Sequence, residues 1–583
     1  MRSKSDRSLR PRRRAVAGTL ALVAFAAVLA ATLSPPGTAT AAARKVAAQK
    51  SPSAAPMPAL KALTASALKK TELFDLPTEE WFDPPPAPPP GGPPIPMVVR
   101  YGEGNTVRVG DDGRRQKVRL RSYDGGLVGP TFRLKPGDRL GVDLINQLPK
   151  EGEQPCQEEP GMTMNMEHMG LNTTNLHTHG LHISPSGSSD NVLREVRPGC
   201  TFKYQFQILP AGNPPGEAPM AHYPGTFWYH AHVHGSTAVQ LASGMAGAML
   251  VTGDVDRIPE IAAAHERIFV FQQLAFDNDG EVKSLDDVDL NWAGDSPGDP
   301  PKHGPKKHTT INGRVKPLIE LSPGEVERWR FIDAGIFEEL TLSLRNQAQP
   351  SEGLTFHEIA LDGITRKAVT PLSEVELGPG YRADVLIQAP RTPGATYVLY
   401  KRRPKFQLTA LTLKAESHPQ VDQPEILAVV KVVDRVCSPP TCSTRLLPEG
   451  TRLPAPLRDI TARDVTPGPT VVFSVKAGKL LINGKTFDPN AVLPEFQLTK
   501  GKVEEWVLEN TSSFPHPFHI HVNAFQMVGA DGTPGEWRDT IILPAKSKLK
   551  MRTRLERFTG RFVLHCHILT HEDEGMMQLV DIK

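Results

Sequence analysis

The C-terminal end of the chain carries His565-Cys566-His567, followed by His571 and Met576. A thiolate and two imidazoles, with a weak thioether on the axis, are the ligands of a blue-copper electron-transfer site. One imidazole must come from elsewhere in the chain, and His516-Pro517-Phe518-His519-Ile520-His521 offers candidates. The two histidines beside Cys566 carry the next inference. Successive side chains of a strand point to opposite faces. If Cys566 faces one metal, His565 and His567 face the other way, and a second metal site is expected behind the first.

That second site can be assembled from His-x-His pairs: His177/His179, His230/His232, His519/His521 and His565/His567. On strands each pair directs both imidazoles to one face. Neutral imidazole suits copper, zinc, iron and nickel. The 19 His among 583 residues would give roughly 0.6 such pairs by chance. Counting His232/His234, there are five. One pair alone would read as ordinary surface or core histidines; the set does not.

The elements that must position these residues repeat. Leu134-Lys-Pro-Gly137 and the alternating stretch to Asn146 recur from Leu321-Ser-Pro-Gly324 to Asp333, and again from Leu498-Thr-Lys-Gly501 to Asn510. Each copy is a glycine turn followed by a strand pattern. Three copies, about 180 residues apart, mean three homologous β domains. Short strands and frequent Gly/Pro turns point to Greek-key sandwiches. The expected limits are 96–256, 257–420 and 421–583. A second repeated element locates the metals. Phe227-Trp-Tyr-His230 and Phe562-Val-Leu-His565 correspond to Tyr397-Val-Leu-Tyr400, with Tyr where the others have His. The second domain therefore keeps the fold without the ligands and is expected to be a spacer. The histidine cluster should lie between the first and third.

In these motifs the chain resembles the laccase-like multicopper oxidases of three-domain bacterial type, from about residue 97 to the C-terminus. The resemblance rests on His177-Thr-His179-Gly180, Trp228-Tyr-His230-Ala-His232, His516-Pro-Phe-His519-Ile-His521 and His565-Cys566-His567-x3-His571-x4-Met576. It implies an all-β fold of three consecutive cupredoxin-like domains and four copper ions. His516, Cys566, His571 and Met576 would bind a mononuclear blue copper. His177 and His519 would bind the single copper of a trinuclear cluster, and His179, His230, His232, His521, His565 and His567 its paired coppers. Met at the axial position implies a lower-potential site than the Leu or Phe of many fungal relatives. Electrons would pass through Cys566 to His565 and His567. Glu572 and Asp190 match acidic positions that relay protons in the family; the plainer reading of each is a structural carboxylate. Gly378-Pro-Gly380-Tyr-Arg382-Ala-Asp384 resembles the family's second-domain signature. The implied partners are dioxygen and small reducing substrates such as phenols or aromatic amines, and the implied state is a monomer.

Residues 1–43 read as a signal peptide, with a basic start (Arg7 to Arg14), an apolar run from Ala15 to Leu33 and small residues Ala39-Thr40-Ala41. Export to the periplasm or outside the cell follows, with no stable membrane span after cleavage; an uncleaved anchor is the other reading. This leader holds seven Arg/Lys and one Asp of the 67 and 64 in the chain. The remainder is thus near −3, with no basic footprint for nucleic acid. Residues 44–95 are Pro- and Ala-rich, ending in Pro84-Pro-Pro-Ala-Pro-Pro-Pro90. They read as a solvated spacer, or alternatively as a segment strapped across the folded body. Apart from Cys566 there are four cysteines, Cys156, Cys200, Cys437 and Cys442. In an oxidising compartment they could form two disulfides, 156 with 200 and 437 with 442 being one connectivity; free buried thiols are the alternative.

Two further stretches bear on the electron donor. Met162-Thr-Met164-Asn-Met166-Glu-His168-Met169 offers thioethers, which favour Cu(I). It would make the enzyme a metallo-oxidase, unless these methionines are apolar filler. Trp537-Arg538-Asp539-Thr540 could border the donor pocket, with Asp539 steering a phenol, or could be a structural turn. His182, His222 and His234 receive no role.

Overall fold

Each copy of the repeated turn and strand becomes the middle of a sheet. Gly137, Gly324 and Gly501 have φ of 94°, 75° and 84°, the left-handed region open to glycine at no steric cost. The strands they lead into are Arg139–Asn146, Val326–Asp333 and Val503–Asn510. Each lies parallel to an earlier strand (Ile95–Tyr101, His265–Phe276, Thr466–Lys476) and antiparallel to a later one (Thr201–Gln207, Arg382–Gln388, Ser547–Arg554). The computed structural model describes residues 77–583 apart from 151, 153–154, 157–169, 211–221, 290–305, 403–424 and 439–441.

A second sheet packs on each of these, and its order also recurs three times. Phe132–Leu134, Ala246–Val251, Gly225–His230 and His177–His179 form the first; Phe496–Leu498, Met577–Ile582, Gly560–Cys566 and His516–Ile520 match it in the third. In the second, Pro317–Leu321, Glu425–Val432, Thr396–Arg402 and Leu340–Asn346 take those places. Apolar side chains from the facing sheets close a core in each sandwich, around Trp228, Trp329 and Trp506 respectively. The chain is all-β, built as three consecutive cupredoxin-like sandwiches.

Burial along the repeated strand tells the sandwiches apart. The first and third copies alternate between buried and partly exposed, as strands with one wet face do. Every residue of Val326–Asp333 is buried, because its outer face meets the first sandwich. Arg328 and Arg330 there pair with Asp384 at 2.6 and 2.8 Å, and Arg330 also meets Thr226 Oγ1 at 2.9 Å.

The described part of the Pro-rich stretch is strapped to the body, so the free-spacer reading does not hold for it. Glu79–Glu80 pairs with Pro317–Leu321, and the Trp81 ring packs 4.8 Å from Phe269. Further on, Ala87 N–H donates to Thr131 O at 2.9 Å in the first sandwich. Proline leaves few donors to satisfy, which suits a strand at an edge. Cys156 is bonded to Cys200 and Cys437 to Cys442; Cys566 is free and buried. The leader, residues 44–76 and the run from Met162 to Met169 lie outside the described residues. Among those described, no helix is long and apolar enough to cross a membrane.

Candidate metal centres

Cys566 ends the strand Gly560–Cys566, beside His516–Ile520. Its Sγ lies 3.5 Å from His516 Nδ1 and 3.7 Å from His571 Nδ1, with all three residues buried. His571 comes from the short helix Leu569–Asp573. The Met576 carbonyl accepts the Cys566 N–H at 2.9 Å, and the Met576 side chain is fully buried in the third core with Cys566. Burial pushes the Cys566 thiol well above its usual range and His571 down to about 3. Metal ligation requires a thiolate and neutral imidazoles. The imidazoles are thus ready, whereas the thiolate needs a bound cation to offset its burial.

On the opposite side of that strand the other histidines converge, as the alternation requires. His565 Nε2 lies 3.2 Å from His232 Nε2 and 3.3 Å from His521 Nε2. His567 Nε2 lies 3.3 Å from His179 Nδ1. The strand register builds the halves: His177 is opposite His230 in the first sandwich, and His519 is opposite His565 in the third. In the second sandwich the matching pair is Ser343 opposite Tyr400, so both positions there lack an imidazole. The rings of His177 and His521 stack at 3.9 Å, and those of His179 and His519 at 3.8 Å, across the boundary between first and third sandwiches.

The imidazoles are set to receive a cation. Burial first, then neighbouring imidazoles, keeps His177, His179, His519, His521 and His567 far below the usual histidine value. Three of the cluster histidines have Nδ1 engaged and Nε2 left open. His177 Nδ1 meets Asp190 at 3.0 Å, His230 Nδ1 meets Ala231 O at 2.9 Å, and His519 Nδ1 meets Asp539 O at 2.8 Å. The Nε2 atoms of those same residues have no partner although buried. Buried acceptors left open are costly, and such back-side contacts are how metal-ligating histidines are oriented. The donor set fits copper.

Two carboxylates touch the cluster where the sequence placed them. Asp190 meets His177 and accepts the Thr178 N–H at 3.0 Å; burial lifts its carboxyl to about 8. Glu572, fully buried, stands 3.1 Å from His565 Nδ1 and 3.3 Å from His232 Nδ1. Its neighbour Asp573 accepts N–H bonds from Gly235, Thr237 and Ala238, tying the third sandwich to the first. Of the two readings of Asp539, the structural one holds. It is buried at the back of His519 and His179, bound to Arg382 at 2.8 Å, and so cannot steer a donor arriving from solvent. The second sandwich is also more than a spacer: a Cβ on Gly380 would come within 3.0 Å of His567 and 3.1 Å of His179. His182 and His222 hold backbone carbonyls, and His234 packs on Phe487.

Comparison with known proteins agrees with this arrangement. Two family models, each described as "Multicopper oxidase", match residues 157–255 and 457–583. The multicopper oxidase mco of Staphylococcus aureus is 25% identical over 473 residues, spanning 79% of this chain and 83% of that protein. This chain is thus similar to multicopper oxidases in its first and third sandwiches. It is an oxidoreductase that uses oxygen as acceptor, and it binds copper. A laccase of Haloferax volcanii is 27% identical over 477 residues, covering 78% of this chain and 76% of that protein. A solved structure from Campylobacter jejuni, described as a multicopper oxidase and metallo-oxidase, superposes with a TM-score of 0.62 at 21% identity, covering 87% and 96% of the two chains.

Proposed function

We propose that this enzyme oxidises small phenolic or aromatic-amine donors one electron at a time beside Cys566 and passes the electrons to dioxygen at the histidine cluster, forming water. One observation carries the reading: a single strand places Cys566 Sγ against His516 and His571 while its neighbours His565 and His567 reach His232, His521 and His179. Cys566 therefore joins the two centres through one thiolate and adjacent peptide bonds. His516, Cys566, His571 and Met576 would hold one copper. His232, His521 and His565 would hold a second, His179, His230 and His567 a third, and His177 with His519 a fourth. Copper supplies the one-electron redox chemistry and the reactivity toward dioxygen.

The chain does the rest. Each dioxygen reduced to two waters consumes four electrons and four protons. The protons must enter a buried site, and the Asp190 carboxylate at His177 and the Glu572 carboxylate between His232 and His565 are placed to hold and hand them on. The sandwich cores hold the imidazoles in place and exclude bulk water. Oxygen uptake with a phenolic donor tests the reading. Four donor molecules oxidised per dioxygen, without hydrogen peroxide, is the expected result; two per dioxygen with peroxide would contradict it.

A second reading is a metallo-oxidase of Cu(I) or another low-valent metal ion. The run Met162, Met164, Met166, Met169 favours it, and the Campylobacter jejuni neighbour is described as a metallo-oxidase. Comparing kcat/KM for the phenol and for Cu(I) in Met164→Ser/Met166→Ser decides: a selective loss of Cu(I) oxidation supports it, and no change removes its motivation. The leader and the two disulfides support export to an oxidising compartment. The three domains are assigned limits of 96–256, 257–420 and 421–583, and the enzyme is taken as a monomer.

A further inference from the structure

Among the described residues the second sandwich contributes no histidine to the cluster, yet it reaches the cluster through a buried ion pair. Arg382 has no exposed surface, and Asp539 is 2% exposed. They meet in a two-pronged bond, Nη1 to Oδ1 at 2.8 Å and Nη2 to Oδ2 at 2.5 Å. The other Arg382 donors go to backbone carbonyls: Gly380 and Asp362 at 2.9 Å each, and Thr226 of the first sandwich at 3.2 Å. The guanidinium is thus fixed by main chain from two sandwiches, and it fixes the carboxylate of a residue in the third. A forked Arg–carboxylate pair sets orientation as well as distance.

From that fixed carboxylate the contacts run to His179 directly and to His519 through the Thr540 hydroxyl. Thr540 Oγ1 donates to Asp539 Oδ1 at 2.8 Å and lies 3.2 Å from His179 Nε2 and 3.1 Å from His519 Nδ1. Asp539 Oδ1 itself is 3.4 Å from His179 Nε2, and the Asp539 carbonyl accepts from His519 Nδ1 at 2.8 Å. His179 is thereby held by its Nε2, and its Nδ1 faces His567 at 3.3 Å. His177, His230 and His519 are the reverse, held by Nδ1 with Nε2 open. His179, His519 and Asp539 could by distance form a metal triad, but Arg382 already engages both carboxylate oxygens.

We propose that Asp539, clamped by Arg382 of the second sandwich, is a positioning residue that fixes His179 with Nδ1, and His519 with Nε2, toward the metal. This rests on the reading that His179 and His519 hold copper. The partner behind a ligating histidine sets its tautomer and ring angle, and losing it costs about 10- to 100-fold in metal affinity. The test is chelator competition on copper-loaded protein, counting copper per chain while following the visible blue absorption of the Cys566 site. Asp539→Asn and Arg382→Lys should release cluster copper about 10- to 100-fold more readily, with blue absorption retained. If Asp539→Asn does not fold, Thr540→Val carries the test, since it removes one hydroxyl and should shift the cluster in the same direction. Unchanged cluster affinity in Thr540→Val and Arg382→Lys overturns the proposal. So does an equal weakening of both centres, which would mean a general loss of structure. His179→Ala is the control: if it keeps its full copper, the ligand reading beneath the proposal is what fails.

Discussion

Replacing Gly380 by alanine should damage the histidine cluster from the second sandwich while leaving the Cys566 site intact. Gly380 has φ of +88°, and an added Cβ would sit 3.0 Å from His567 Cδ2 and Nε2 and 3.1 Å from His179 Cε1. The backbone conformation alone costs an alanine roughly 1–2 kcal/mol. Ordinary contact begins at 3.4 Å, so His567 must retreat by about 0.4 Å. Metal sites hold their ligand distances to within about 0.2 Å, so a retreat of that size is not absorbed. A misplacement of about 1 Å costs on the order of 100-fold in rate, and the shift here therefore predicts roughly a 5- to 10-fold lower kcat. Oxygen uptake with a phenolic donor, copper counted per chain and thermal unfolding measure the three consequences. The expected variant unfolds at a slightly lower temperature, keeps its blue absorption, and loses cluster copper or turnover. Wild-type kcat with full copper would refute the claim that this turn walls the cluster.

Acid stability should depend on Glu266. Burial alone would raise its carboxyl, but Arg330, Arg133 and Arg328 hold it at about 2, below its ordinary 4.5. Its folded value is depressed, so its contribution is present above pH 4.5 and is lost as pH falls toward 2; the shift corresponds to about 3 kcal/mol. Denaturant midpoints of Glu266→Gln should show a flatter acid limb than wild type, and identical limbs would exclude the assignment. The Cys156–Cys200 bond closes a separation of 44 residues, worth about 4 kcal/mol by loop entropy. Cys200→Ser should lower the unfolding temperature without changing the blue absorption, and an unchanged melting curve would contradict this. Glu572→Gln should slow oxygen uptake about 100- to 10,000-fold, in keeping with loss of a proton-transfer group, while donor reduction of the Cys566 site stays near normal. Equal slowing of both steps would count against a proton role.

The cluster was legible because metal ligation restricts residue types and strand alternation restricts spacing. His-x-His pairs and a Cys between two His read directly as faces of strands, and the register bears that out at His177/His230 and His519/His565. The repeated glycine turn likewise gave three sandwiches, since only a positive φ explains glycine at Gly137, Gly324 and Gly501. What stayed hidden was burial across long separations. Asp539 looks like a surface carboxylate in Trp-Arg-Asp-Thr, and its partner Arg382 lies 157 positions away. The motif around Gly380 and Arg382 stood out in sequence, but its contact with His567 depends on how the sandwiches pack. Asp573 differs from Glu572 by one position, and only the helix that carries both shows that Glu572 faces histidines while Asp573 binds the Gly235–Ala238 amides. The proline run reads as solvated because it lacks apolar residues, and nothing local announces the pairing of Glu79–Glu80 with Pro317–Leu321.

In the proposed mechanism Cys566 joins a donor-facing site to an oxygen-reducing cluster. Copper-loaded Cys566→Ser, compared with wild type for visible absorption, copper content and oxygen uptake with a phenolic donor, tests it most directly. Loss of the blue absorption, loss of about one copper per chain with the histidine cluster still filled, and oxygen uptake near background are the expected results. A variant that stays blue and oxidises the donor at the wild-type rate would contradict it.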